Sequence, residues 1–236
     1  MKRKALLIAN TSGLQGVKVD ISRFSSFLKS ERGGAWFDSE IQIVANESKY
    51  SLQKKVDELK KQSNDYTIVL FSGHGAYQRK TILEINSSGE TILESELANI
   101  SKRQLNIFDC CRSVIPEQVT KSAMDSMTAR FSESVNSVRQ RYDARIMQAD
   151  EQQASLYSCA IGQVSYDTAN GGVYLSNLLD AAKNIPSSDQ FKLVSVAHDE
   201  ARTATILESI KAGRTQEPDA VLAKSLSSRQ LIISIK

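Results

Sequence analysis

Five short apolar runs, ALLIA (5–9), IQIV (41–44), TIVLF (67–71), QLNIF (104–108) and ASLYSC (154–159), constrain the fold of this chain more than any other feature. They are short, rich in Leu, Ile, Val and Phe, and mostly lack the polar alternation of a half-exposed strand, which is the pattern of strands buried on both faces. Between them lie segments with helical spacing. Val19, Phe24, Phe27 and Leu28 follow the first run, and Ser51 is placed to cap a helix in which Leu52, Val56 and Leu59 recur above a lysine-rich face. Buried strands alternating with helices predict an α/β fold, with a mostly parallel central sheet of about six strands flanked by helices. TILEINSSGETILE reads as a hairpin turned at Ser-Ser-Gly, followed by a short helix near Glu94 to Ile100. VYLSNLLDAAKN and FKLVSVAHDEARTATILESI read as two amphipathic helices, and RQLIISI as the last strand of the sheet.

Residues 114–152 break this rhythm: no strand signal opens them, and Phe131, Val135, Val138, Tyr142 and Ile146 then form an apolar stripe through a highly charged stretch. This is the signature of a helical insertion. Only 11 Gly and 3 Pro are spread over 236 residues, so no flexible linker divides the chain and a single domain, 1–236, is expected.

Composition excludes several classes. With 41% hydrophobic and 24% charged residues the chain can bury a large core, unlike a disordered one. The net charge of +3 comes from 30 basic and 27 acidic side chains scattered along the sequence, which argues against nucleic acid as a main partner. The basic start MKRK precedes an apolar run too short for a signal peptide, and no stretch approaches a membrane span, so a cytoplasmic protein without a membrane partner is expected. Cys110, Cys111 and Cys159 form neither a disulfide framework nor a zinc spacing. Reduced thiols, no metal and no other cofactor are expected.

The chemistry gathers at two strand ends. TIVLF runs into Ser72-Gly73-His74-Gly75, and QLNIF into Asp109-Cys110-Cys111-Arg112-Ser113. In an open parallel sheet such loops converge on the carboxyl edge, where ligands bind. A histidine and a thiol delivered to one rim have the composition of a nucleophile and its proton-handling partner. Glycines beside His74 let the backbone approach a substrate and offer N–H groups to an oxyanion. Gly-His-Gly or Cys-Cys alone would be weak; their conjunction carries the reading. His198 reads as a surface or boundary histidine and Cys159 as a packing residue.

These residues resemble the caspase-like cysteine peptidases, including metacaspases and their bacterial relatives, whose motifs Ser-Gly-His-Gly and Asp-x-Cys-x-Ser match 72–75 and 109–113. ALLIANTSGLQGVKVD is similar to the family's first strand and Leu-x-Gly-x-x-x-Asp loop, YSCAIGQVSYDTANGGVYLSNLL to the start of its small subunit, and Gln216-Glu217-Pro218 to its C-terminal end. The resemblance implies a caspase-like three-layer sandwich, with 1–113 as large subunit, 114–152 as variable linker and 153–236 as small subunit. It implies Cys111 rather than Cys110 as nucleophile, His74 as its partner, and the N–H groups of Gly75 and Cys111 as oxyanion donors. Members that cut after basic residues carry acids where aspartate-cutting members carry arginines; Asp20 and Asp109, with Ser72 beside them, hold those positions. A cysteine endopeptidase preferring arginine to lysine is therefore expected, with aspartate capping of a helix near Ile21 as the alternative use of Asp20. Arg112-Ser113-Val114 stands where metacaspases often have His-Ser-Gly, and no acidic calcium cluster follows His74 in 76–95. Lys121 and Arg130 make the linker a candidate for self-cleavage. The expected partners are a protein substrate and an activating ligand or partner protein; a monomer is favoured over a dimer. Bacterial relatives of this size suggest an effector protease of antiviral defence. Two other classes stay open: an inactive caspase-like binding module, and a thiol hydrolase acting on a non-peptide acyl substrate.

Overall fold

A computed structural model describes residues 1–114 and 136–236. Phe131, Val135, Lys121 and Arg130 lie outside the described residues. The chain runs β1 (Arg3–Ala9), α1 (Gly16–Lys29), β2 (Ile41–Ala45), α2 (Lys49–Lys61), β3 (Tyr66–Ser72), β4 (Gly75–Gln78), β5 (Lys80–Glu84), β6 (Thr91–Leu93) and β7 (Arg103–Asp109). It continues with α3 (Asn136–Gln148), β8 (Gln152–Tyr157), β9 (Asp167–Thr168), β10 (Gly171–Gly172), α4 (Val173–Lys183), β11 (Phe191–Leu193), α5 (Val194–Lys211), β12 (Asp219–Val221) and β13 (Ile232–Ile235).

The five apolar runs become the five parallel strands of a six-stranded sheet ordered β12-β8-β7-β3-β1-β2, with β12 antiparallel at one edge. Successive side chains of a strand point to opposite faces. Leu6, Ile8, Val69, Phe71 and Phe108 join Leu52, Val56 and Leu59 of α2 on one face. Ala5, Leu7, Ile68, Leu70, Leu105 and Ile107 join residues of α1, α3, α4 and α5 on the other. Each large aliphatic side chain removed from water in this way contributes about 1.5–3 kcal/mol, which holds the three layers together.

Several expectations are corrected. RQLIISI does not enter the central sheet: β13 pairs antiparallel with β11 in a separate ribbon, and the sixth central strand is β12, on β8. The FKL that seemed to open a helix is β11 itself. α2 begins three residues early, because Ser48 rather than Ser51 caps it, its Oγ accepting from the Ser51 N–H at 3.2 Å. The helix expected at 94–100 is a single 3-10 turn, 94–97. His198 is not at the surface: it is 3% exposed, with Nδ1 2.7 Å from the Tyr174 hydroxyl.

The described part of the apolar stripe packs inward. Val138, Tyr142 and Ile146 are buried, and Arg139 and Asp143 pair with Glu40 and Arg3. Arg3 itself lies over the Trp36 ring, 4.5 Å from its centroid, so α3 is fixed to the sheet by charge as well as by area.

Candidate active site

Registry places the site. Ala9 of β1 stands opposite Ser72 of β3, and Ser72 opposite Asp109 of β7, so three neighbouring strands release their chains at one level. His74 and Cys111 follow from that row. Both line a cavity of about 390 Å³ that also receives Ser72 and Asp109 from the ends of β3 and β7, Asp20 from α1, and Ser165, Tyr166 and Asp167 from the segment after β8.

His74 Nε2 lies 2.7 Å from the Ser12 carbonyl oxygen. A carbonyl only accepts, so the neutral ring carries its proton on Nε2 and keeps its lone pair on Nδ1. Cys111 is half-buried, its thiol donating toward the Ser165 carbonyl at 3.6 Å. Burial pushes this thiol above its usual pKa, so the resting group is protonated. Cys110 is 2% exposed and belongs to the apolar cluster under the hairpin; burial pushes its thiol much further up. Cys159 packs behind it, its Sγ 3.4 Å from the Cys110 carbonyl oxygen.

Backbone donors follow from the β4–β5 ladder. Glu84 donates to the His74 carbonyl at 3.0 Å, so by antiparallel alternation the Gly75–Leu83 pair is not hydrogen-bonded and the Gly75 N–H points away from β5. Two residues on, the Tyr77 N–H points the same way and reaches the Ser113 carbonyl at 2.8 Å. Gly75 therefore presents its N–H to the turn that carries Cys111. A Cβ at position 75 would stand 2.7 Å from Cys110 Sγ and 2.8 Å from the Cys111 carbonyl oxygen, so this approach requires glycine. In the turn itself, Cys110 N–H binds Ser158 Oγ and Arg112 N–H binds the Gln163 carbonyl, while the Cys111 N–H lies beside its own thiol.

The acids occupy the base of the cavity. Asp20, 2% exposed on the second turn of α1, accepts from Ser72 Oγ at 2.8 Å and from the Gly172 N–H at 2.9 Å. The capping alternative is thereby removed, since α1 starts at Gly16. Asp109 accepts from Ser165 Oγ at 2.8 Å and from the Leu175 N–H at 3.3 Å. Gly172 lies between the two acids, and a Cβ there would fall 2.2 Å from Asp109 Oδ2. Burial, then the neighbouring Asp109, pushes Asp20 up to about 7; burial pushes Asp109 up to about 6.

Sequence reasoning missed one wall residue, Asp167, and one residue that supports the wall from behind, Gln216. Asp167 takes the Gly16 N–H at 3.0 Å and so caps α1 from across the chain. Gln216, 1% exposed, donates to the Ser158 carbonyl at 2.9 Å and accepts from the Tyr166 N–H at 3.2 Å, pinning the loop that forms the far wall. Both stood inside stretches quoted for their resemblance, so the one available signal was an acid or amide at a strand-end loop. Among the described residues no cluster of His, Cys, Asp or Glu is arranged to hold a metal, and no helix is long and apolar enough to cross a membrane.

The family model of the caspase domain matches residues 2–218. The chain belongs to the caspase-domain family. Its fold is that of solved caspase structures: caspase-1 from Spodoptera frugiperda superposes with a TM-score of 0.64 at 13% identity, covering 99% of this chain and 92% of that one. A protein of Geobacter sulfurreducens superposes with a TM-score of 0.58 at 16% identity, covering 98% and 97%. No curated protein matches this caspase domain in sequence. Membership supports a cysteine peptidase chemistry in general, and the residues around the cavity determine what more can be said.

Proposed function

We propose that this caspase domain is a cysteine endopeptidase that cleaves protein substrates after basic residues, arginine before lysine, with His74 and Cys111 as its dyad. The observation that supports this reading best is the pair of buried carboxylates, Asp20 and Asp109, at the base of the cavity that holds both dyad residues, with no Lys or Arg among the described lining residues. Burial raises both carboxyls and so disfavours their ionised forms, and a substrate cation in the cavity offsets that cost. A guanidinium suits that role better than an ammonium, because it is planar, always charged and able to bind two acceptors at once.

The chemistry follows from the tautomer. Nδ1 of His74 accepts the Cys111 thiol proton as Sγ bonds to the scissile carbonyl carbon, and the electron pair displaced onto oxygen is held by the Gly75 and Cys111 N–H groups. The C–N bond then breaks, and the leaving amine takes the proton from His74. Water gives a proton to His74 as it attacks the thioester, the C–S bond breaks, and the thiol is restored.

Labelling with a peptidyl acyloxymethyl ketone ending in arginine, together with a fluorogenic panel varying only the residue before the cleaved bond, tests this. Modification at Cys111 and turnover after arginine are expected. Cleavage after aspartate with arginine and lysine inert would defeat the acidic-pocket reading. Absence of labelling would favour an inactive binding module, and turnover of simple acyl esters alone would favour a non-peptide thiol hydrolase.

A further inference from the structure

We infer that Arg112 is the positioning residue that holds the Cys111 turn in line with the Gly75 N–H, using Asp219 as its counter-charge. This rests on the proposed peptidase reading and adds to it a residue that touches no substrate. Arg112 is 5% exposed and is absent from the cavity lining, so its side chain leaves the turn on the side away from the reacting atoms.

Its contacts are distributed over the elements that frame the nucleophile. Nε donates to Thr81 Oγ1 at 3.2 Å on β5. Nη1 donates to the Cys159 carbonyl and to Asp219 Oδ2, each at 3.3 Å. The guanidinium carbon lies 4.0 Å from the ring centroid of Tyr157 on β8 and 5.6 Å from that of Tyr77 on β4. The backbone of the same residue is held twice, N–H to the Gln163 carbonyl at 3.0 Å and carbonyl to the Gly162 N–H at 2.8 Å.

Thr81 is the ladder partner of Tyr77, and Tyr77 lies two residues beyond Gly75 on the same strand. One guanidinium therefore spans the hairpin that carries one oxyanion donor and the turn that carries the other. Lysine cannot replace it, because an ammonium has no fork to bind Thr81 and Asp219 together and no plane to stack on Tyr157. A loss of about 1 Å in alignment costs on the order of a hundredfold in rate, and loss of one oxyanion donor costs a similar amount.

The test compares Arg112→Lys with the parent chain in two assays: turnover of an arginyl fluorogenic peptide, and alkylation of Cys111 by iodoacetamide, which needs the thiol and His74 but no oxyanion site. Turnover should fall about a hundredfold in kcat with KM within about threefold, while the alkylation rate stays within about threefold. Thr81→Val, which removes only the Nε acceptor, should lower kcat about tenfold with unchanged KM, and covers the case in which Arg112→Lys fails to fold. Parent-like kcat in Arg112→Lys, or in Thr81→Val if that variant alone folds, overturns the inference and leaves the peptidase reading intact. Equal losses in turnover and alkylation also overturn it, because Arg112 would then act on the thiol itself. A parent chain that alkylates with iodoacetamide yet neither cleaves nor is labelled by arginyl probes overturns both.

Discussion

At the scale of single residues, the dyad and the two acids give the sharpest expectations. Cys111→Ala and His74→Ala should each abolish peptide hydrolysis with melting temperatures near that of the parent, whereas Cys110→Ala should retain activity within a few fold, as active-site titration and thermal melts will show. Activity lost in Cys110→Ala and kept in Cys111→Ala would reverse the assignment. Gly75→Ala should lower kcat about a hundredfold, because its methyl group would push β4 off the Cys110–Cys111 backbone. The acids predict a pH dependence with a definite sign. Asp20 and Asp109 are raised to about 7 and about 6, and a substrate cation binds the ionised pair, so KM for an arginyl peptide should fall as pH rises from 5.5 to 8 and then level off. Asp109→Asn should flatten that profile and selectively weaken cleavage after arginine. Folding responds in the opposite direction: carboxyls with raised folded pKa values bind protons more tightly folded than unfolded, so the stability they confer is full below about 4 and lost as pH rises through 6 to 7. Asp20→Asn should therefore raise the melting temperature of the unliganded chain more at pH 8 than at pH 5, and calorimetry at the two pH values decides it.

At the scale of elements, α1 deserves its own test because it delivers Asp20 and is capped by a side chain 151 residues away. Asp167→Ala should cost about 1 kcal/mol through the lost cap. It should also move the KM–pH profile to lower pH, since Asp167 is one of the charges that raise Asp20; an unmoved profile would mean that Asp167 acts on the helix alone. The same helix shows what a sequence discloses. The central strands were legible because both faces of ALLIA, TIVLF and QLNIF are buried, which leaves a continuous apolar run for the eye to find. The proposed dyad could be read from the sequence because His74 and Cys111 both follow such runs. β12 was not, since three residues at a sheet edge, Asp219 to Val221, need no apolar run to pair. Nor were Asp167, Gln216 and His198, whose roles come from partners more than 20 positions away and from no local pattern.

At the scale of the whole molecule, the two sides of the linker share one core: β7 and β8 pair in parallel over six residues, and the larger apolar cluster draws on β1, β3, α4 and α5 alike. A protease site engineered into 115–135 should thus give, after cutting, two fragments that co-elute as one species and separate only in denaturant; elution as separate pieces would refute a shared core. The far wall of the cavity has a further consequence, for biosynthesis. A chain emerging from the ribosome displays His74 and Cys111 long before it displays Ser165, Tyr166 and Gly172, the last of which holds Asp20 in place. If the proposed dyad is right, the nascent protein carries both of its groups without a pocket to present a substrate to them, and the need to translate past Gly172 acts as its own delay on proteolysis.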